Sequence, residues 1–208
     1  MADHCCQKKS DDLKDLAKKQ AKVLWTVLAI NLVMFFAESI SGFIAGSTAL
    51  MGDSLDMLGD ALAYGSSIYV IGSSIQAKAK ASLFKASIMV ALGLLILGQA
   101  IYKTFFLSTP DYEFMGIVGM VALIANVICL MLLTAHKDDD INFQSVWICS
   151  RNDIIANTSV ILAGLAVYYV KSPWPDLLVG FGITLLFLKS AMGIFKDSFS
   201  QLEKAEEV

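Results

Sequence analysis

Three aspartates occur together in a stretch that is otherwise apolar. Asp53, Asp56 and Asp60 all lie between Met51 and Leu62. Asp56 and Asp60 are one helical turn apart, so a helix would present both on one face, with Asp53 on the same stripe. An ionised carboxylate in the middle of a bilayer costs about 2.5–3.5 kcal/mol or more, so such groups face a cavity and have a partner. The pattern predicts a cation site.

A second pair with the same spacing lies further along the chain. Cys149 and Asp153 are also one turn apart, and Asn157 follows on the same face. If the two segments are antiparallel helices, Asp60 is level with Cys149, and Asp56 is level with Asp153. Four oxygen and sulfur ligands suit tetrahedral Zn²⁺. Sequence spacing therefore predicts a divalent-metal site built from two helices.

Protons are the expected alternative occupants of this site. Without a metal ion, carboxylates this close cannot all ionise, so protons would take its place. A site near the membrane midplane that holds either metal or protons is typical of an exchanger.

Three further polar residues are candidates for orienting the ligands or carrying protons: Glu38, Asp53 and Asn157. Glu38 could equally pair with Arg151 or with a lysine. Asp53 has an alternative interpretation as a helix N-terminal acid near the outer interface.

The cysteines do not suggest a disulfide framework, and reduced thiols are expected. His4, Cys5 and Cys6 form a compact group on the N-terminal tail that could capture cytosolic metal, although short tails also carry such residues by chance. Cys129 is interpreted as a packing residue.

The composition indicates a membrane protein. The chain has 208 residues, of which 56% are hydrophobic and 17% are charged, and its mean hydropathy is +0.64. Crossing the hydrocarbon layer takes about 20 apolar residues in a helix. Six runs fit, which predicts an all-α protein with six transmembrane helices near Val23 to Gly46, Ser47 to Ile75, Ser82 to Phe106, Phe114 to Ala135, Val146 to Val170, and Leu177 to Phe195.

Lysine positions favour a cytoplasmic location for both termini. Most lysines lie before the first span or after the second, fourth and sixth spans. Lys78, Lys80 and Lys85 are the group that follows the second span. We expect a cytoplasmic tail at 1–20, a transport domain at 21–203 and a short C-terminal tail at 204–208. The net charge of −3 says little about partners. No nucleic-acid partner is expected.

Small and amide residues indicate close helix packing. Gly42 and Gly46 form a GxxxG pattern, and Asn31 and Asn126 could bond across helices.

The motifs together resemble one known family. They are Asn31 and Glu38 in the first span, the run GSTALMGDSLDMLGDAL at 46–62, Asn142, the pair Cys149 and Asp153, and the segment from Pro175 to Ser198. In this order they resemble the membrane domain of the cation diffusion facilitator family.

The resemblance implies a six-helix protomer that exchanges cytoplasmic divalent metal for protons as a homodimer, in the inner membrane of a bacterium. It implies that Asp56, Asp60, Cys149 and Asp153 are the transport ligands and that the protein is not an enzyme and has no cofactor. Most zinc carriers of the family have His in place of Asp56 and Cys149. A thiolate favours softer ions, so Zn²⁺ with Cd²⁺ second is expected, and Mn²⁺ and Fe²⁺ rank lower.

Family members usually continue into a cytoplasmic metal-binding domain, whereas this sequence ends at Val208. Dimerisation is therefore expected through membrane helices, with the GxxxG pattern and the third helix as candidate surfaces.

Two other functions remain as alternatives. A cation channel would also need acids within the membrane. An intramembrane aspartyl protease would use two buried aspartates, such as Asp60 and Asp153, but this chain lacks the first glycine of the GxGD motif of those enzymes.

Overall fold

The computed structural model describes the backbone of residues 2–69, 75–134 and 141–206, with side chains at 22–65, 80–134 and 153–202 other than 197 and 201. All regular structure in these ranges is helical. The helices are α1 (Ala2–Ala45), α2 (Thr48–Tyr69), α3 (Ile75–Phe105), α4 (Tyr112–Thr134), α5 (Ile141–Val170) and α6 (Trp174–Glu206). The prediction of an all-α membrane protein is confirmed.

Five of these helices contain a stretch that is long and apolar enough to cross a bilayer, namely α1, α3, α4, α5 and α6. The remaining helix, α2, has 22 residues, which is about 33 Å at a rise of about 1.5 Å per residue. Its length suffices, but Asp53, Asp56 and Asp60 lower its apolar character. The most acidic span therefore needs protection from lipid by the other five.

The helices overlap all six predicted spans, and two of them extend well beyond. Helix α1 begins at Ala2, within the segment expected to be a tail, and α6 continues to Glu206, past the predicted end near Phe195. Polar sequence can continue a helix outside the hydrocarbon layer, because hydropathy marks where lipid ends and not where the helix ends.

Helix α2 lies at the centre of the bundle. Helices α1, α2, α4 and α5 form a ring, and α3 pairs with α6. Helix α6 contacts the ring at α2 and α5, and α3 contacts it at α2. The described core contains four apolar clusters, and each of them includes a residue of α2. These residues are Leu50, Leu55, Met57 and Tyr64. Apolar side chains on its flanks thus hold α2 in place, and the neighbouring helices separate its acids from lipid.

A tight turn joins α1 to α2. Gly46 adopts a left-handed conformation with φ of 64°, and the N–H groups of Gly46 and Ser47 donate to the carbonyls of Phe43 and Gly42 at 3.3 and 2.9 Å. This is a Schellman ending, which suits glycine. The Cβ that a larger residue would add at Gly42 would lie 2.9 Å from the Cγ of Met51. Gly42 therefore serves packing of α1 on α2 within one chain, as the predicted close packing requires, whereas Gly46 ends the helix.

Asp176 of α6 is bonded to the start of α2. Its Oδ1 accepts from the Ser47 hydroxyl at 2.6 Å and from the Ala49 N–H at 3.0 Å, and its Oδ2 accepts from the Thr48 N–H at 2.8 Å. The carboxylate is buried. It satisfies N–H groups that a helix start leaves without partners, and its charge is favourable at the N-termini of both helices.

Two more contacts close this end of the bundle. The Lys103 ammonium of α3 donates to the Gly46 carbonyl at 2.6 Å, and the Asp111 N–H donates to the Ala45 carbonyl at 2.9 Å. The turn between α1 and α2 is therefore held from α3, from the segment before α4, and from α6. We call this set of contacts, made by Lys103, Asp111 and Asp176, the closed end.

Candidate metal centre

A cavity of about 600 Å³ lies between α2, α3, α5 and α6. The acids on its wall are Asp56 and Asp60 from α2 and Asp153 from α5. Three of the four predicted metal ligands therefore line one space. Its other lining residues are mostly apolar: Gly59, Ala63, Met89, Ile155, Ala156, Ser159, Ile183, Leu186, Phe187, Ser190 and Ile194, together with Lys85.

The helices bring these acids together because α2 and α5 pack against each other in opposite directions. Asp60 and Asp153 interact through their side chains. One turn away, the Asn157 amide lies 3.5 Å from Oδ1 of Asp53. The two helices are antiparallel, as the spacing predicts, but Asp153 interacts most strongly with Asp60 and not with Asp56, the residue that we expected to be level with it.

Tyr64 holds Asp60 from within α2. Its hydroxyl donates to Oδ2 of Asp60 at 2.9 Å, and the Tyr64 side chain is buried among Val27, Cys129 and Leu133. A donor locked by packing restricts the orientation of the carboxylate it bonds. Tyr64 is not among the site residues that the sequence predicts, although it follows Asp60 by one turn on the acidic face.

Asn157 supports the other side of the site. Its amide donates to the backbone carbonyl of Asp153 at 2.8 Å, within the same helix. Oδ2 of Asp153 and Oδ1 of Asn157 are buried without a hydrogen-bond partner in the described region. These acceptor atoms are the kind that an incoming cation or proton would satisfy.

Glu38 and Asp53 lie within the bundle and are fully buried. Neither carboxylate oxygen of Glu38, nor Oδ2 of Asp53, has a hydrogen-bond partner among the described side chains. Glu38 interacts electrostatically with Asp53, Asp56 and Asp153. Asp53 is beyond the first turn of α2, so its alternative interpretation as a helix N-terminal acid is wrong.

The lysine pattern groups Lys85 with the charges of the cytoplasmic side. It lies within α3, inside the predicted third span, and it lines the cavity, a position that the sequence did not predict. A lysine near the start of a span looks like an interfacial charge in sequence alone, because the face it occupies depends on how the helix packs.

Several predicted residues fall outside the described side chains. The fourth ligand, Cys149, is one of them, as are Arg151, His4, Cys5 and Cys6. Among the side chains that are described, no group of three or more histidines, cysteines and acids is arranged to hold a metal ion. The described acids therefore line a cavity and do not form a closed ligand cage.

Of the two asparagines predicted to bond across helices, Asn31 makes such a bond in the described region and Asn126 does not. The Asn31 amide of α1 lies 3.9 Å from the Cys129 sulfur of α4, as a weak bond between helices. Cys129 is a free, buried thiol in an apolar cluster, in agreement with a packing role. The Asn126 amide nitrogen has no partner within the described region, so its predicted bond across helices is not seen there.

Fold and cavity together define a multi-pass helical membrane protein with acids buried along its spans. Residues 24–202 match the family model for the cation efflux transmembrane domain. This match covers most of the chain, and the protein belongs to the cation efflux family, the cation diffusion facilitators that its motifs resemble.

The chain is also similar to curated bacterial transporters. It is 23% identical over 199 residues to the zinc transporter ZitB of Yersinia pestis, an alignment that covers 88% of this chain and 62% of ZitB. It is 22% identical over 194 residues to the cadmium, cobalt and zinc/H(+)-K(+) antiporter of Bacillus subtilis, covering 83% of this chain and 61% of the antiporter. The chain thus spans less than two thirds of the length of these relatives.

A relative from an animal is similar as well, the zinc transporter ttm-1 of Caenorhabditis elegans, at 23% identity over 226 residues, with 94% of this chain and 55% of the relative covered. These relatives are transporters and not enzymes, which argues against the protease alternative. The bacterial matches and the span-capable helices support a multi-pass protein of the inner membrane.

Proposed function

We propose that the protein exports divalent metal cations from the cytoplasm in exchange for protons by alternating access. The transport ligands are Asp56, Asp60 and Asp153, with Cys149 as the fourth. Family membership and the names of the similar transporters support metal cation efflux. The exchange with protons rests on the chemistry of the site.

The observation that carries the proposal is the set of three carboxylates on one cavity wall inside an apolar bundle. Carboxylates that lie close together within lipid need compensating charge. A divalent cation supplies it when bound, and protons supply it when the cation leaves. Asp56, Asp60 and Asp153 therefore bind either metal or protons, which makes the two movements interdependent.

The substrates we propose are Zn²⁺ and, second, Cd²⁺. Carboxylates and a thiolate in a set of four suit Zn²⁺, and the Cys149 thiolate adds affinity for Cd²⁺. Mn²⁺ and Fe²⁺ rank lower, because they favour sites richer in oxygen and nitrogen. The names of similar transporters include zinc, and one also includes cadmium and cobalt, which supports zinc and cadmium among the substrates.

Buried groups next to the ligands have supporting roles in this scheme. Glu38 and Asp53 carry unpaired oxygens at full burial, which suits them to pass protons to the ligands, and Asn157 orients Asp153. His4, Cys5 and Cys6 would capture metal from the cytoplasm ahead of the cavity. We propose cytoplasmic termini, with 1–20 and 204–208 as tails of a transport domain at 21–203, and a homodimer formed through membrane helices.

Metal uptake into proteoliposomes tests the site. Liposomes with an acidic lumen would receive Zn²⁺ on the outside, and uptake would be followed with a fluorescent zinc indicator in the lumen. Asp60→Asn is expected to reduce the initial rate by at least about tenfold, because the amide keeps the shape but loses the charge that the metal needs. Glu113→Gln is the matched control, since Glu113 is exposed and lies in the first turn of α4, away from the cavity.

Wild-type rates in the Asp60→Asn protein would refute the assignment of the ligands. Uptake that is independent of the pH gradient would refute the exchange with protons and favour a channel.

A further inference from the structure

Among the described side chains, one lysine shares the cavity with the three acids. Lys85 of α3 lines the same cavity as Asp56, Asp60 and Asp153, and its side chain is partly buried. It belongs to the membrane-span stretch Lys80–Phe105. A charged residue at such a position usually faces a cavity and acts on a partner of opposite charge. Lys85 is therefore a candidate for a role in transport.

The charge of Lys85 acts on one of the proposed ligands. An electrostatic interaction links it with Asp60, whose other described contact within α2 is the Tyr64 hydroxyl. A lysine ammonium has three donors and no acceptor, so in its charged form it cannot bind metal. It can bind the same carboxylates that the metal binds.

We propose that Lys85 is a tethered cation that competes with the divalent substrate for the carboxylates of the cavity, and that this competition sets the affinity for metal and speeds its release. This inference rests on the proposed function. Lys85 is then a residue that determines transport affinity without being a ligand.

Charge balance supports the competition. Among the described side chains of the cavity wall, Asp56, Asp60 and Asp153 carry three negative charges when ionised and Lys85 carries one positive charge. The described wall thus keeps a net negative charge with Lys85 present, which still attracts a divalent cation. A transporter also needs binding that is weak enough for the ion to leave, and a neighbouring ammonium weakens it through repulsion.

The lysine side chain is suited to such an exchange of partners. Its charge sits at the end of a flexible four-carbon stem, which permits the ammonium to approach the acids when metal is absent and to withdraw toward the membrane surface when metal enters. An arginine would keep the charge in a larger, planar group.

The test compares charge removal at Lys85 with charge removal at a second lysine. Lys189 of α6 is exposed and is not part of the cavity lining, so Lys189→Met is the matched control. The variants Lys85→Met, Lys85→Gln and Lys85→Arg would be assayed with Zn²⁺ in the same proteoliposomes for KM and kcat, and zinc binding to the purified proteins would be measured by calorimetry.

Lys85→Met and Lys85→Gln are expected to lower KM and the calorimetric Kd by about tenfold, since a repulsive charge near the metal is gone, and to lower kcat because release slows. Lys85→Arg should return all three constants toward the wild-type values. Lys189→Met should behave as wild type.

Unchanged or higher KM in both neutral variants would overturn the inference, as would an arginine variant that behaves like the methionine variant. If neither neutral variant folds while Lys85→Arg does, Lys85 has a structural role and the inference also fails. Wild-type protein that moves no metal would instead refute the proposed function, so the two failures are distinguishable.

Discussion

At the scale of single residues, the main question is what fixes the orientation of the proposed ligands. Asp60 has a hydroxyl donor one turn away, in Tyr64, whose ring is held by the apolar contacts of α1 and α4. Asp153 has Asn157 one turn away, bonded to its backbone carbonyl. Only the Tyr64 bond reaches a carboxylate, so Asp60 is held through its side chain, whereas Asn157 bonds the backbone at Asp153.

Tyr64→Phe tests this support. The ring and its packing remain, but the donor to Asp60 is lost, so we expect KM for Zn²⁺ to rise by about tenfold, in the range found when groups that orient metal ligands are removed. The measurement is the proteoliposome uptake described above. Tyr102→Phe is the control, because Tyr102 is exposed and stacks on Phe106, away from the cavity. Equal KM values for the two variants would show that the Tyr64 hydroxyl has no effect on the site.

Spacing alone was sufficient to find the acids of the cavity, because residues one turn apart share a helix face whatever the helix packs against. It could not find Tyr64 or Lys85. An aromatic residue in an apolar span looks like a core residue, and a lysine near the start of a span looks like an interfacial charge. Their roles depend on which helices are neighbours, and that information is not local.

At the scale of helices, α2 and α6 are held together where both begin. Asp176 bonds to the first N–H groups of α2, and Gly180 lets the two backbones approach. A Cβ at Gly180 would lie 2.6 Å from the carbonyl carbon of Thr48. Backbone atoms cannot move away as a flexible side chain can, so this contact restricts Gly180 to glycine.

Gly180→Ala is therefore expected to lower the free energy of unfolding by about 1–3 kcal/mol, the typical cost of overpacking. Gly182→Ala, two residues further on the same helix, is the control, because a Cβ there meets no atom within 4 Å. Thermal unfolding of the purified proteins in detergent measures both. Should the two variants unfold at the same temperature, the close approach of α2 and α6 is not present in the protein.

Hydropathy predicted the helices well, since the apolar length that crosses a bilayer is set by physics common to all membrane proteins. It was less informative about α2, which carries three aspartates and is accommodated because four other helices contact it. Helix pairing, the capping of α2 by Asp176 and the division between the α1, α2, α4, α5 ring and the α3, α6 pair depend on contacts distant in sequence.

At the scale of the whole molecule, the two ends of the bundle differ. The closed end carries the bonds of Lys103, Asp111 and Asp176 around the turn between α1 and α2. The cavity extends the other way, to Lys85 near the start of α3 and Ile194 in the second half of α6. With the termini in the cytoplasm, as we propose, this arrangement is the one that receives metal from inside the cell.

Export then requires the closed end to open while the cavity closes. The contacts around Asp176 tie α6 to α2, so these two helices would move together at this end, and the change would fall between them and the α4, α5 pair. The mostly apolar cavity lining offers few polar bonds to break, but this movement would break the Asp111–Ala45 bond of the closed end and the Asn157–Asp53 contact between α2 and α5.

The central claim is that a divalent cation binds between α2 and α5. Crystals of the wild-type protein grown with Zn²⁺, and separately with Cd²⁺, would locate the ion by anomalous scattering. We expect a peak in the cavity at about 2.0–2.2 Å from carboxylate oxygens of Asp60 and Asp153. A cavity without a peak, from protein that transports the same metal in proteoliposomes, would contradict the account.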